Sequence, residues 1–382
     1  MPWEERSIMS SRRELVLLAG QAGANKQALF RRYGIRPRIG YKWLGRYAAE
    51  GEAGLADRST RPHSSPGRTP AAMEAKVIGL RLEHPCWGGR KLKRRLAELG
   101  ERGVPSASTI TAILHRHGLI DPEEGARHKA FRRFERPAPN ELWQMDYKGH
   151  FPMAAGRCHP LTVLDDHSRF ALAVAACADE RAVTVQAVLT GVFRRYGLPE
   201  RMLMDNGSPW GDGPDQPWTG FGVWLLRLGI AVSHGRPFHP QTQGKDERFH
   251  RTLKFEVLRH FNFTTIEHCQ REFDDFRDRY NLRRPHDALK LATPASRYYP
   301  SAIPFPEILP PIDYPPGLEV RKVQAEGMVS YRGHALRVCK ALRGLPVAFR
   351  HVEDSDSQRE VLFCHQVIAR IDLNDTHGHC WK

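Results

Sequence analysis

Residues Pro237 to Lys254 read PFHPQTQGKDERFHRTLK, and the rest of the chain is organised around them. Two prolines and Gly244 exclude a helix before Lys245. From Lys245 to His260 the chain lacks Gly and Pro, and Phe249, Leu253 and Val257 recur at i, i+4 and i+8, one apolar helix face. Glu247, Arg251 and Lys254 recur at i, i+4 and i+7 on another face, so one carboxylate and two cations point the same way. Alone this would be a surface helix with a charge ladder. Two further stretches supply matching acids. Leu142 to Lys148, LWQMDYK, is strand-like and holds Asp146. Arg201 to Trp210, RMLMDNGSPW, is an apolar strand running into Asp205 and the turn pair Asn206-Gly207. Acids at apolar strands are costly to bury unless paired or metal-bound. Three oxygen donors are the hard ligand set that Mg²⁺ or Mn²⁺ prefers.

The order strand-Asp, strand-Asp-Asn-Gly, then Pro-Gln-x-Gln-Gly-x-x-Glu opening a helix resembles the catalytic core of retroviral integrases and of the DDE transposases of bacterial insertion sequences. The resemblance implies that Asp146, Asp205 and Glu247 are the catalytic, metal-binding triad, holding two Mg²⁺ ions (Mn²⁺ as a substitute). It matches Gln243 to the loop glutamine before the catalytic helix, and Arg251 and Lys254 to that helix's basic, DNA-facing positions; Gln243 and Lys245 are also expected to contact DNA. Forty-one residues separate Asp205 from Glu247, more than the family's usual spacing. The excess is read as a longer surface loop within Ser208 to Trp218, SPWGDGPDQPW. Asp246 competes as the third acid by one register step, but Gly-x-x-Glu favours Glu247. Asp165 and Asp166 are read as structural.

The chain of 382 residues carries a net charge of +15, with 41% hydrophobic and 26% charged residues, a globular composition. No apolar run approaches the roughly 18 residues of a membrane span, and the N-terminus lacks a signal-like apolar stretch. Seven scattered cysteines without a CxxC pair point to reduced thiols rather than a disulfide framework. A cytoplasmic, nucleoid-associated bacterial protein is expected. Residues 1–139 hold 27 Lys and Arg against 14 Asp and Glu, whereas 140–382 hold 31 against 29. Nearly all the excess positive charge therefore lies in the first third, where phosphates would be gripped.

In chain order, residues 1–52 read as a helix-turn-helix domain. Ser10 to Gly20 forms a first helix; Asn25 caps a second that stops at Gly34. A third begins at Pro37 with Ile39, Trp43 and Tyr47 on one face. Arg36, Arg38, Tyr41 and Lys42 fall on the exposed side of that third, groove-entering helix. Residues 53–70 read as a basic linker whose Arg58 and Arg61 track the DNA backbone. Residues 71–120 form a second helix-turn-helix domain, with Arg90, Lys91, Lys93 and Arg94 of RKLKRRLAEL as DNA contacts. His84, Cys86, His115 and His117 lack zinc-site spacing.

Residues 121–139 connect to a catalytic core over 140–299. Its order of three strands, helix, strand, helix, strand, helix is, by resemblance, the ribonuclease-H-like α/β fold, a mixed sheet flanked by helices. Residues 300–316 hold seven prolines in seventeen positions, an extended linker. Residues 317–382 read as a small C-terminal β-barrel. The resemblance implies a transposase that binds double-stranded DNA, both element terminal repeats and target, as a homodimer or higher synaptic oligomer. It implies metal-dependent cleavage and strand transfer, with no membrane and no small-molecule substrate. The alternative is a DNA-binding regulator with an inactive core, which predicts a broken triad; all three acids are present. A nonspecific ribonuclease-H-like nuclease would not need two helix-turn-helix units.

Overall fold

A computed structural model of the chain describes residues 8–59, 67–120, 135–211, 218–235, 244–352, 355–374 and 380–381. It divides into two compact units, residues 1–68 and 69–382.

In the first unit, α1 (Ile8–Ala19), α2 (Lys26–Arg32) and α3 (Pro37–Glu50) form a helical cluster. Asn25 caps α2 as its sequence predicts, its Oδ1 accepting from the Ala28 amide at 3.0 Å. Pro37 opens α3, where no amide partner is lost. Leu15, Val16, Phe30, Trp43 and Leu55 are buried, and the Arg12 guanidinium lies 3.9 Å from the Trp43 ring centroid. Two expectations change. Ile39 is 43% exposed, because the packed side of α3 runs through Gly40 and Trp43 instead. The first residues of the expected linker are folded too: Gly51–Leu55 is a 3₁₀ turn, and Leu55 is buried with its carbonyl accepting from Arg12 Nη1 at 2.9 Å.

The second unit opens with α4 (Ala71–Glu83), α5 (Gly89–Glu98) and α6 (Ala107–Arg116), packed through Val77, Trp87, Leu92, Leu96, Ile110 and Leu114. A Cβ at Gly89 would meet the Ala107 carbonyl oxygen at 2.3 Å, so this helix crossing requires glycine.

The core that follows has the element order expected, plus one minor strand. It runs β1 (Trp143–Tyr147), the short β2 (Phe151–Pro152), β3 (Arg157–Asp165), β4 (Ala171–Cys177), α7 (Ala182–Tyr196), β5 (Arg201–Met204), α8 (Gly220–Arg227), β6 (Ala231–His234), α9 (Gly244–Leu253) and α10 (Ile266–Leu282). A π-helical turn, Lys254–Leu258, extends α9. Across the sheet the order is β4-β3-β1-β5-β6, antiparallel up to β1 and parallel from β1 to β6, with β2 on the start of β3.

Alternation along the strands assigns the faces. Trp143, Met145, Leu161, Val163, Met202 and Met204 pack with Val185, Leu189, Phe193, Phe221 and Leu225 of α7 and α8. On the other face Cys158, Leu164, Ala171 and Val174 pack with Phe249, Leu253 and Val257 and with Phe273, Phe276 and Tyr280 of α10. The i, i+4, i+8 stripe read from the sequence is therefore the buried side of the α9 segment.

Beyond the core, residues 300–316 form no helix or strand, yet they are docked. The Ser301 amide donates to the Tyr196 carbonyl and the Leu198 amide to the Ile303 carbonyl, both at 2.8 Å, and Phe305, Leu309 and Ile312 pack on the core. The expected barrel is corrected. β7 (Glu319–Lys322), β10 (Pro346–Val352), β11 (Ser355–Phe363), β12 (Gln366–Asp372) and β13 (Cys380–Trp381) form an open antiparallel sheet in the order β13-β12-β11-β10-β7. The strands β8 (Met328–Tyr331) and β9 (His334–Arg337) pair only with each other. Closure is not needed to bury the apolar face. Tyr331 stacks on Phe349 at 3.9 Å, and Val347, Phe349, Val361 and Phe363 join the apolar cluster of the core.

Gly40→Ala tests the first unit, because a Cβ there would lie 2.1 Å from a Phe30 ring atom. An overpacking cost of about 1–3 kcal/mol is expected. It would be read as lost amide hydrogen-exchange protection in α2 and α3, with the second unit's protection unchanged.

Candidate active site

Asp146 sits on β1 with Trp143 and Met145 directed into the α7–α8 layer, so alternation turns Asp146 toward the α9 face. β1 and β5 are parallel neighbours, pairing Trp143 with Met202 and Gln144 with Leu203. The same offset carried two residues further puts Asp146 level with Asp205, just past the end of β5. The two carboxylates thus leave adjacent strands at their carboxyl ends.

Asp205 is held from several sides. Its Oδ1 accepts from the Gly207 amide at 3.0 Å, and its carbonyl accepts from His234 Nδ1 at 2.8 Å. Asn206 Nδ2 donates to the Gly235 carbonyl at 2.8 Å. The Asn-Gly turn read from sequence therefore ties the end of β5 to the end of β6.

The Asp146 carboxyl is pushed up to about 7, first by burial and then by the Asp205 charge, with Glu180 and Glu247 adding to it. Among the described residues no Lys or Arg lies within ion-pair distance of Asp146, Asp205 or Glu247. No three His, Cys, Asp or Glu side chains there are close enough to share one ion. The acids are neighbours rather than a closed ligand shell. An oxygen-only donor set with uncompensated negative charge still fits a hard divalent cation.

The first turns of α9 separate the competing acids. Glu247 and Arg251 are exposed, as is Lys254 in the π-helical turn, so they share a side open to solvent. Asp246 is 1% exposed, and neither carboxylate oxygen has a hydrogen-bond partner among the described residues. Burial, then Asp146 and Asp166, hold it well above the usual carboxylate range. One turn on, sequence reasoning missed His250. Its Nε2 lies 2.8 Å from Thr162 Oγ1, which gives its one proton to the Asp146 carbonyl at 3.1 Å. The imidazole must then donate through Nε2, which leaves Nδ1 as an acceptor 3.9 Å from Asp146 Oδ2. Burial, with a smaller contribution from Lys148, lowers the His250 pKa to about 3, so the ring is neutral. Its i+4 offset from Asp246, both off the charged side of α9, is the signal that could have found it.

The expected DNA contacts divide. Arg36, Arg38, Tyr41, Lys42, Lys93, Arg251 and Lys254 are exposed. Arg58 is exposed and paired with Glu50; Arg90 reaches Asp287 at 3.0 Å, and Arg94 reaches Glu98 at 2.8 Å. Two assignments are corrected. Lys91 is 8% exposed and faces Asp287 at 3.8 Å, its ammonium lowered to about 8, chiefly by burial. Lys245 is turned inward onto buried Asp166, its Nζ also donating to that residue's carbonyl at 3.1 Å. Each lysine is turned onto a carboxylate, buried Asp166 for Lys245 and half-buried Asp287 for Lys91, rather than out to solvent. Gln243 and Arg61 lie outside the described residues. Asp165 and Asp166 are structural as expected: Asp165 accepts from the Asn140 and Ser168 amides, and Asp166 from Gln144 Nε2 and the Arg136 amide.

Comparison with known proteins follows the same order. Residues 11–63 match a helix-turn-helix domain family and 39–114 a homeodomain-like domain family. Residues 136–240 and 228–294 match two integrase core domain families, and 318–378 match the C-terminal domain of the IS481 transposase family. The chain is 26% identical over 246 residues to the uncharacterized 31.7 kDa protein of insertion element IS407 from Burkholderia multivorans, covering 63% of this chain and 86% of that one. It is also 26% identical over 250 residues to the uncharacterized 39.2 kDa protein of insertion element IS476 from Xanthomonas euvesicatoria, covering 64% and 69%. Among solved structures, a chain of the simian T-cell lymphotropic virus intasome aligns with 18% identity and a TM-score of 0.38, over 76% of this chain and 96% of that one.

An acid whose folded pKa lies above its unfolded value binds more protons when folded, so stability falls as pH rises between the two values. For Asp146 that window runs from 3.8 to about 7. In metal-free protein the loss is at most about 4 kcal/mol, at 1.36 kcal/mol per pKa unit. Asp146→Asn is expected to flatten this part of the pH–stability profile in urea unfolding. A slope that survives the substitution would show that another group carries it.

Proposed function

We propose that this chain, an insertion-sequence transposase by family, binds the ends of its element and carries out DNA cleavage and strand transfer. Asp146, Asp205 and Glu247 are its metal-holding residues in this reading. The observation that carries it is the placement of Asp146 and Asp205, level at the carboxyl ends of adjacent parallel strands, on the face covered by the helix that bears Glu247. The upward shift of Asp146, from burial first and the Asp205 charge second, supports it.

Two Mg²⁺ ions, with Mn²⁺ as a substitute, would supply activation of the attacking water or 3′-hydroxyl and stabilisation of the leaving 3′-oxygen in an in-line displacement. The chain's own residues do the rest. Asp146 and Asp205 present oxygens from the carboxyl ends of two central strands, and Glu247 completes the set from the solvent side of α9. Gly207 and His234 fix the Asp205 loop. Neutral His250 orients Asp146 without neutralising it. Arg251 and Lys254, exposed beside Glu247, offset phosphate charge. No nucleophilic Ser or Tyr is required.

In the first unit Arg36, Arg38, Tyr41 and Lys42 line the outer side of α3, where base and backbone contacts are made. Lys93 and Arg94, with Arg90, offer a second cationic surface on α5. The domains are taken as 1–52, 71–120, 140–299 and 317–382, joined by segments 53–70, 121–139 and 300–316. Two element ends must be held together, which calls for a homodimer or larger synaptic assembly on DNA in the bacterial cytoplasm.

Element-end DNA incubated with plasmid and Mg²⁺ tests the assignment. The parent chain should give joined product. Glu247→Gln should lose more than the ~10–100-fold that removing an outer-shell partner costs, while still binding the ends. Asp246→Asn should join. Loss in Asp246→Asn with survival of Glu247→Gln would move the third acid by one residue; binding without joining by the parent would favour a DNA-binding regulator.

A further inference from the structure

β6 is the edge of the core sheet, bonded along one side to β5. The Ala231 amide donates to the Glu200 carbonyl and the Gly235 amide to the Met204 carbonyl, so Val232 presents its own N–H and C=O outward. A side chain from the C-terminal sheet takes up both groups. Gln366, the first residue of β12, accepts from the Val232 amide through Oε1 at 2.8 Å and donates through Nε2 to the Val232 carbonyl at 2.9 Å. A primary amide has the same donor–acceptor pair as a peptide unit, so it caps the edge as a neighbouring strand would.

Two residues along β6, His234 donates to the Asp205 carbonyl at 2.8 Å. The His234 ring also meets Trp218 edge-on at 6.4 Å, and Trp218 Nε1 donates back to the Ile368 carbonyl of β12 at 3.3 Å. The same β12 segment therefore grips β6 at Val232 and supports His234. Around it, a continuous apolar cluster joins Val232 and Trp210 of the core to Val347, Val361 and Ile371 of the C-terminal sheet.

We infer that Gln366 is a positioning residue for the active site: by completing β6 from the C-terminal sheet, it fixes His234 and, through it, the Asp205 carboxylate. The C-terminal sheet is then a fixed wall of the catalytic core rather than a tethered module. This rests on the reading of Asp205 as a metal-holding residue.

The experiment uses the full chain and Mn²⁺ alone, with binding followed by the spin-resonance signal of the free ion. Amide hydrogen exchange is measured at Val232. Gln366→Met keeps the side chain's length and removes both bonds. It should speed Val232 exchange at least about tenfold and weaken Mn²⁺ binding by about the same factor, the lower end of what outer-shell losses cost. Gln366→Glu keeps the acceptor and loses the donor; it should fall between parent and Met variant, and it carries the test if the Met variant does not fold. Tyr331→Phe is the matched control, since Tyr331 on β8 donates to Glu319 Oε1 of β7 at 3.1 Å, a hydrogen bond within the C-terminal strands that involves neither Gln366 nor β6. It should leave Mn²⁺ affinity unchanged.

Unchanged Mn²⁺ affinity in the Gln366 variants, or equal weakening by Tyr331→Phe, overturns the inference. Asp205→Asn separates the two levels. If it weakens Mn²⁺ binding and the Gln366 variants do not, the clamp alone falls. If it binds Mn²⁺ as the parent does, the reading of Asp205 falls and the inference with it.

Discussion

Like-charged carboxylates held near one another at the half-buried ends of two central strands repel, and in a low-dielectric setting that repulsion is large. Much of the second unit is arranged around this constraint. Asp146 and Asp205 are anchored through backbone groups: Thr162 donates to the carbonyl of one and His234 to the carbonyl of the other. Among the described residues the carboxylates themselves have no Lys or Arg within ion-pair distance. A lysine or arginine paired with them would relieve that repulsion and stabilise the folded chain. His250 touches the cluster but is buried and neutral, so it orients without compensating.

Cations are used freely where acids must be silent. Lys245 neutralises buried Asp166 one residue from Asp246, and Arg284 reaches Glu256 in the π-helical turn at 3.0 Å with both side chains buried. Arg90 and Lys91 both face Asp287, which joins α5 to the segment after α10. The Lys245–Asp166 and Arg284–Glu256 pairs lock elements together, because removing one partner would leave a buried charge alone. Asp246 is the exception, a buried carboxylate with no hydrogen-bond partner among the described residues. Burial, with Asp146 and Asp166 nearby, raises its pKa well above the usual carboxylate range and so favours the uncharged form in a crowded region.

The C-terminal sheet extends the same logic of support. Its apolar face is covered by its own hairpin and by the core, with the docked segment 300–316 running between them. An open sheet suffices because Val347, Phe349, Val361 and Phe363 of that face are buried in the shared apolar cluster. The core's edge strand gains a cap that its own sequence does not supply.

Local pattern alone determined a good deal. Alternation in LWQMDYK and RMLMDNG, the turn chemistry of Asn206-Gly207 and the 3.6-residue stripe of Phe249, Leu253 and Val257 fixed the core's element order and the faces that meet. They also placed Asp146 and Asp205 at strand ends and Glu247 at a helix start, because each signal depends only on neighbours within two turns. What the tertiary structure decided was the fate of each charge. Lys91 and Lys245 stand in runs that read as solvent-facing cations, yet Asp287 and Asp166, some 196 and 79 residues away in sequence, draw them inward. Ile39 yielded its place in the first core to Gly40, because the Phe30 ring needs the space a side chain would fill. The grip of Gln366 on Val232 likewise spans 134 residues. Burial and pairing across such distances are set by which surfaces meet, and no periodicity along the chain encodes that.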